Sequence, residues 1–167
     1  MTLTLCAALM QTVLLAAPTA DSTETYTEAR RQITETGQPM VVMVSTDWCG
    51  PCQSMKRNVL PRLRERGTFK KVAFAQVNAD RDSELAKELT GGGPVPQLVM
   101  YRRSGHGWVR RKLVGGQSVE KVEQFINEQL ASDKADRDSD NSGADKDSKS
   151  SDSDAELPEV SAKSSHT

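Results

Sequence analysis

Two cysteines separated by two residues, in the segment Trp48-Cys49-Gly50-Pro51-Cys52, constrain this chain more than any other feature. The segment follows an apolar run, Met40 to Val44, and precedes a stretch with helical spacing. In that setting the first cysteine lies at a helix N-terminus, where unpaired backbone N–H groups and the helix dipole favour a thiolate over a thiol. Such surroundings lower a cysteine pKa from about 8.5 to roughly 3.5–7.5, and the thiolate is the species that attacks disulfides. The pattern predicts a redox pair.

Two other uses of the cysteine pair stay open from the residues alone: a static disulfide, or half of a zinc site. A structural zinc ion takes four Cys or His ligands. The chain has no second Cys-x-x-Cys, and its only histidines are His106 and His166, so four ligands are not easily assembled. We therefore expect no metal, and no cofactor beyond the redox-active disulfide itself.

Composition divides the chain into three parts. Residues 132–167 hold ten acidic residues, five basic residues and ten serines, with no aromatic residue. Such a segment buries too little apolar surface to offset its ordering entropy, so we expect a disordered acidic Ser/Asp/Lys-rich tail. Residues 1–20 carry no charged side chain, and the domain between them and the tail is therefore mildly basic. A mildly basic domain with few aromatic residues argues against nucleic-acid binding.

An apolar run from Leu3 to Ala17 opens the chain. A membrane-spanning helix needs about 20 apolar residues, so the run is too short for a stable anchor. Its length and the small residues that follow are typical of a signal peptide, although the usual Lys or Arg at the start is missing. We expect residues 1–20 to be a signal peptide and the protein to be exported, periplasmic or extracellular. The alternative is an apolar N-terminal helix that packs on the domain.

Apolar spacing and turn residues predict an alternation of helices and strands between the two ends. A continuous apolar run is typical of a strand covered on both faces, and apolar residues three or four apart are typical of a helix. Pro61 should kink or split the helix that contains it. The predicted elements are a helix over 23–36, a strand over 40–45, a helix over 49–66, a strand over 72–77, a helix over 83–89, a hairpin of strands 97–101 and 108–114, and a helix over 118–130. A helical crossover makes the first two strands parallel, and the hairpin adds an antiparallel edge.

This order of elements, together with the cysteine motif, resembles the thioredoxin superfamily over residues 23–130. The segments that carry the resemblance are Asp47 to Cys52, Val77-Asn78-Ala79-Asp80, Pro94-Val95-Pro96 and Val114-Gly115-Gly116. The resemblance implies an α/β fold: a thioredoxin-like three-layer α/β/α sandwich with a central four-stranded mixed sheet, formed by residues 21–131. The missing N-terminal strand of full-size thioredoxins makes the chain more similar to trimmed, exported thioredoxin-like domains.

The resemblance also implies roles for the motif residues. Cys49, exposed at the helix start, would be the nucleophile that attacks a partner disulfide, and Cys52, more buried, would resolve the mixed disulfide. Pro96 aligns with the cis-proline of the family, which turns the backbone of Val95 toward the substrate. The indole of Trp48 would pack beside the thiols and offer an apolar contact. The expected substrate-binding residues are Trp48, Gly50, Pro51, Val95 and Pro96.

Two positions depart from the family pattern. Many thioredoxins have a buried aspartate six residues before the first cysteine, paired with a lysine on the neighbouring strand, and the carboxylate is given a role in accepting the proton of the second cysteine. Met43 and Gln76 occupy these positions. We expect the resolving step of Cys52 to be slower or to use water, and Asp47 to be too exposed to substitute.

The function we expect is an exported thiol–disulfide oxidoreductase that reduces disulfide-bearing protein partners, acts as a monomer and takes electrons from a membrane thiol donor. The reducing direction depends on the Gly-Pro pair between the cysteines, which resembles reducing thioredoxins. Alternatives are a peptide-binding or chaperone-like module in which the thiols matter little, and a cytoplasmic thioredoxin with an uncleaved apolar start. A basic cluster near the hairpin is either a solvated sheet edge or a docking patch for an acidic partner, including the chain's own tail. Its members are Arg102, Arg103, Arg110, Arg111 and Lys112.

Overall fold

The computed structural model of the chain describes residues 25–104, 107–140 and 157–158. The predicted signal peptide, the tip of the predicted hairpin at 105–106 and most of the predicted tail lie outside these residues. Within the described part of the chain, no helix combines the length and the apolar content that crossing a bilayer requires.

Helices and strands alternate in the predicted order. The helices are α1 (Tyr26–Thr36), α2 (Gly50–Ser54), α3 (Leu60–Glu65), α4 (Ser83–Thr90) and α5 (Val119–Asp140). The strands are β1 (Met40–Ser45), β2 (Ala73–Asn78), β3 (Gln97–Ser104) and β4 (Gly107–Val114). A π-helical turn, Met55–Val59, joins α2 to α3, and a 3₁₀ turn, Thr68–Lys71, precedes β2.

The four strands form one mixed sheet in the order β2-β1-β3-β4. Strand β1 pairs in parallel with β2, as its helical crossover requires, and antiparallel with β3, while β3 and β4 form an antiparallel hairpin. The registers align Val44 with Val77 on one side and with Gln97 on the other, and Gln97 in turn with Val114. The ends of β1, β2 and β4 and the start of β3 therefore meet at one edge of the sheet.

Each face of the sheet buries its own apolar cluster, which confirms the three-layer α/β/α sandwich. On one face, alternate β1 residues Val41 and Met43 pack with the helices α2, α3 and α5. On the other face, Met40, Val42 and Val44 pack with α1 and α4. Strand β1 is buried along its whole length, which explains why its sequence is apolar without alternation.

Pro61 splits the long helix after the cysteine pair, as the sequence predicts. A proline has no N–H to donate and its ring clashes with the carbonyl four residues earlier. The turn before it widens, so that the Leu60 N–H donates to the carbonyl of Met55, five residues back. Helix α3 then starts with Pro61 in its first turn, where a missing N–H costs nothing.

Several element boundaries differ from the prediction. The two hairpin strands are longer than predicted: β3 continues to Ser104 and β4 starts at Gly107. Helix α1 starts at Tyr26 rather than residue 23, because the Thr25 side chain caps it by accepting the N–H of Glu28 at 3.3 Å. Strand β2 is displaced by one residue. Helix α5 continues to Asp140 instead of ending at Leu130, so its last turns lie in the segment that composition assigns to the tail. The Ala, Lys and Arg residues in this extension have good helix propensity even without apolar spacing.

Candidate active site

Cys49 and Cys52 form a disulfide at the start of helix α2. Their sulfur atoms are 2.11 Å apart and their Cα atoms 5.2 Å apart. Cys49 is the N-cap residue: its backbone is extended and its Sγ accepts the N–H of Cys52 at 3.2 Å. The first N–H groups of a helix have no partner within it, and here the Cys52 N–H donates to this sulfur. In the reduced protein the same donor would favour negative charge on Sγ.

Cys52 is more buried than Cys49, as predicted, but Cys49 is less exposed than the sequence predicts. Cys52 is 0% exposed and Cys49 is 6% exposed in the disulfide form. The reason is the loop before β3: the Val95 carbonyl oxygen lies 3.7 Å from Cys49 Sγ and covers part of it. Solvent or a partner protein therefore reaches the pair at Cys49.

The loop that covers Cys49 contains a cis peptide bond between Val95 and Pro96, at the position the sequence resemblance indicates. Pro96 is buried, and its carbonyl accepts the N–H of Gly115 at 2.8 Å. The next residue, Gly116, packs against Pro51: a Cβ placed on this glycine would lie 3.3 Å from the Pro51 Cβ. Three separate chain segments thus surround the disulfide. The sequence places Gly116 in a segment that resembles the family but assigns it no role. Its contact with Pro51 depends on the register between strands, which the sequence does not show.

Asp80 holds the segment before the cysteines in place. Its Oδ2 accepts the Asp47 N–H at 2.7 Å, and its Oδ1 accepts the indole N–H of Trp48 at 3.1 Å. Asp80 is itself oriented by its own N–H, which donates to Asn78 Oδ1 at 2.9 Å. The sequence places Asp80 in a family-like segment without assigning it this role. The available signal is its position just after β2, next to the end of β1.

Trp48 is 77% exposed, so it presents a large apolar surface to solvent beside the disulfide. The hydrogen bond from its indole N–H to Asp80 holds one edge of the ring in place. An exposed aromatic ring that is fixed at one edge is a suitable contact for another protein, because little side-chain entropy is left to lose.

Asp47 lies on the solvent side of the same segment, as expected. Its Oδ1 accepts the side-chain amide of Asn78 at 2.8 Å, and its backbone carbonyl accepts the Gln53 side-chain amide at 2.6 Å. The nearest cationic group, Arg81, is 3.8 Å away and both side chains are exposed, so this ion pair contributes little. Asp47 connects the loop to α2 and β2 through hydrogen bonds rather than through charge.

Comparison with known proteins agrees with this geometry. Residues 21–128 match the family model described as Thioredoxin. The chain belongs to the thioredoxin family. A curated relative, probable thioredoxin-2 of Caenorhabditis elegans, is 31% identical over 117 residues, which cover 67% of this chain and 71% of the relative.

Solved thioredoxin structures share the fold. The solution structure of a thioredoxin from Thermus thermophilus aligns with a TM-score of 0.57 at 20% identity, over 65% of this chain and 86% of that one. The structure of Trichomonas vaginalis thioredoxin aligns with a TM-score of 0.50 at 25% identity, over 64% of this chain and 93% of that one. Together with the Cys49–Cys52 disulfide, family membership makes this thioredoxin a thiol–disulfide oxidoreductase.

Within this thioredoxin, the two departures from the family pattern face each other. Met43 on β1 pairs with Gln76 on β2 in the parallel register. Met43 is fully buried and belongs to the same apolar cluster as Cys49 and Cys52, while Gln76 is half-buried. The buried carboxylate and its cationic partner are thus both replaced by neutral side chains. The interior beneath the disulfide is apolar at this point.

Among the residues described, no three His, Cys, Asp or Glu side chains gather closely enough to hold a metal ion.

We expect Asp80→Ala to destabilise the loop that carries Trp48. The substitution removes the acceptor for two N–H donors and should lower the free energy of unfolding by about 1–3 kcal/mol. It should also slow the reduction of insulin by the protein, because Trp48 and Asp47 lose their common anchor. Denaturant unfolding and a turbidity assay measure the two effects. Asp82→Ala is the matched control, since the Asp82 side chain makes no capping hydrogen bond to helix α4. Equal effects of the two substitutions would contradict this role.

We expect Met43→Asp to reveal how apolar the interior beneath the disulfide is. Burial without a cationic partner raises the pKa of the introduced carboxyl above its unfolded value of about 3.9. The folded state then binds more protons than the unfolded state, so stability falls as the pH rises above that value. The variant should lose more stability at pH 8 than at pH 4. Met43→Leu, which keeps the volume, should cost less than about 1.5 kcal/mol at either pH. A loss for Met43→Asp that does not depend on pH would show that the carboxyl reaches solvent.

Proposed function

We propose that this thioredoxin reduces disulfides of exported proteins through Cys49 as nucleophile and Cys52 as resolving cysteine. The observation that carries the assignment is the position of Cys49 Sγ, which lies at the helix start with the Cys52 N–H directed at it and the Val95 carbonyl beside it. Cys52 Sγ is fully buried behind it. A partner disulfide can approach the first sulfur but not the second.

The exchange proceeds in two displacements. In the reduced protein, the Cys49 thiolate attacks one sulfur of the partner disulfide, an S–S bond forms to that sulfur, and the other partner sulfur leaves as a thiolate. Cys52 then loses its proton and attacks Cys49 Sγ, which releases the second partner sulfur and forms the Cys49–Cys52 disulfide. Two electrons pass to the partner, whose thiolates take up protons. Sulfur atoms carry the whole exchange, so we propose no cofactor.

The substrate-binding surface that we propose consists of the residues around the reachable sulfur. The Val95 backbone, held by the buried Pro96, faces the position of the mixed disulfide and offers a hydrogen-bonding edge to an extended partner chain. Pro51 and Gly50 are exposed next to it, and Trp48 adds the apolar contact. Members of this family act on disulfide-bearing proteins. A backbone edge with one apolar contact suits partners of many sequences.

Export is the part of the proposal that depends on the N-terminal segment. The apolar run from Leu3 to Ala17 and the small residues after it support removal of residues 1–20 by a signal peptidase. An exported reductant needs a supply of electrons, because the bacterial periplasm is kept oxidising. A membrane protein that carries a reactive dithiol is the chemical class of donor that fits. The Gly50-Pro51 pair, shared with reducing thioredoxins, supports the reducing direction.

We expect Cys52→Ser to trap partner proteins as mixed disulfides, because the second displacement is then impossible. Cys49→Ser should trap none, since Cys52 Sγ is buried. Non-reducing electrophoresis followed by reduction measures the trapped species, with the wild-type protein and the double variant as controls. Both single variants should lose insulin-reducing activity. If both variants keep full activity, the exchange mechanism is wrong and a peptide-binding module in which the thiols matter little becomes the better hypothesis.

We expect the mature protein isolated from the producing cell to begin near residue 21. N-terminal sequencing or intact-mass measurement decides this directly. A variant with Leu14→Arg, which interrupts the apolar run, is the control and should remain uncleaved. A wild-type protein that keeps residues 1–20 would contradict export through this segment and would favour the cytoplasmic alternative.

A further inference from the structure

Leu157 and Pro158, from the predicted tail, lie against the sheet face opposite the disulfide. Leu157 is 8% exposed and belongs to the apolar cluster of α1, α4 and that face of the sheet. The Tyr26 hydroxyl donates a hydrogen bond to the Pro158 carbonyl at 2.9 Å, across 132 residues of sequence. A buried leucine and a buried hydrogen bond between segments so distant in sequence are what a docked peptide makes.

Tyr26 provides the polar half of this contact. The residue is 4% exposed, and burial raises its pKa well above the usual range, so the hydroxyl stays a protonated donor throughout the physiological pH range. Buried tyrosine hydroxyls normally have a hydrogen-bond partner, and leaving one without a partner costs free energy. The Pro158 carbonyl is a suitable acceptor, because a backbone carbonyl oxygen has lone pairs to offer and no proton of its own. The surface beside Tyr26 that contacts Leu157 and Pro158, called the groove below, thus provides one polar and one apolar contact.

Charged residues of both signs lie near the two buried tyrosines. Arg30 opposes the rise in the pKa of Tyr26 and Arg110 opposes that of Tyr101, whereas Glu88 contributes to both rises. Arg110 belongs to the basic cluster of the hairpin. In the sequence, Leu157-Pro158 is flanked by Glu156 and Glu159, within a tail that has twice as many acidic as basic residues. A mildly basic domain thus meets an acidic peptide.

The chain is long enough to make this contact with itself. Sixteen residues, 141–156, separate the end of α5 from Leu157. Fully extended, they span about 53–58 Å, whereas a domain of about 110 residues has a radius of gyration near 13 Å. The segment can pass from the α5 face around the sheet edge to the α1 face. Closing a loop of this length costs little more than closing a shorter one, and a tethered segment has an effective concentration of about millimolar.

We propose that the groove beside Tyr26 is a docking site for an acidic Leu-Pro segment, and that its occupant is the chain's own C-terminal segment, bound in cis. Leu157 is the apolar anchor and the Tyr26 hydroxyl fixes the register through the Pro158 carbonyl. The Leu157-Pro158 segment then covers part of the α1 face. This site is separate from the disulfide, which lies on the opposite face in the other apolar cluster.

The test uses the full-length protein and five variants: Leu157→Asp, Tyr26→Phe, Tyr101→Phe, and each of the two tyrosine substitutions combined with Leu157→Asp. Leu157→Asp should lower the Tm by about 4–8 °C and speed hydrogen exchange of the α1 amides, because a buried leucine is replaced by a charge that must stay in water. Tyr26→Phe should shift both measurements in the same direction by less. In the double variant, Tyr26→Phe should add almost nothing to the effect of Leu157→Asp, since the Tyr26 hydroxyl has already lost its partner. Tyr101→Phe removes a neighbouring hydroxyl that makes no hydrogen bond to the segment, so its effect should add in full.

Two results would overturn the proposal. If Leu157→Asp leaves the Tm and the α1 exchange unchanged, or if Tyr26→Phe adds in full to it, the segment does not dock. If α1 protection in the wild-type protein rises with protein concentration, together with a dimer in size-exclusion chromatography, the occupant belongs to a second copy and the cis assignment is wrong. Insulin reduction by Leu157→Asp should equal that of the wild type. This separates failure of the docking site from failure of the proposed redox function, which the cysteine variants test.

Discussion

The registers of the four strands bring the site together. Because β1 and β3 are antiparallel neighbours, Val44 near the end of β1 lies beside Gln97 at the start of β3, and Gln97 lies beside Val114 at the end of β4. The cysteine segment, the Pro96 loop and the Gly116 loop therefore leave the sheet at the same edge. Strand β1 pairs in parallel with β2, so the end of β2 lies at the same edge and adds Asp80 to the site. A one-residue slip in any register would turn the site's supporting side chains to the wrong face.

The sequence predicts the features that depend on neighbouring residues. The buried run of β1, the cysteine pair at a helix start and the break at Pro61 are all local, and so is the hairpin. Asp80 and Gly116 could be located but not given a role, because their contacts with Trp48 and Pro51 depend on how strands pair. The contact of Leu157 has no sequence signal at all: a single leucine in an acidic, serine-rich segment shows no periodicity, and only the shape of the α1 face makes it an anchor.

The buried acid and the cation of the family pattern occupy paired positions, which explains why both are replaced together in this chain. Removing one member of a buried ion pair leaves an uncompensated charge, whereas replacing both by neutral groups is often neutral or stabilising. Met43 and Gln76 occupy directly paired positions, so the replacement is complete on both strands. The interior beneath the disulfide then rests on apolar packing.

Val95 is the residue through which the two faces of the sheet could communicate. Its carbonyl lies beside Cys49 Sγ, and its side chain packs against both apolar clusters, including the one that Leu157 joins. Position between two sites is not coupling, however, because coupling requires an element with two arrangements that both sites bias. The backbone of Val95 is fixed by the adjacent Pro96, whose carbonyl bonds to Gly115, and by the start of β3. Because these contacts hold the Val95 carbonyl in place, docking of Leu157 on the α1 face can stabilise the fold without altering the surface that a partner disulfide contacts.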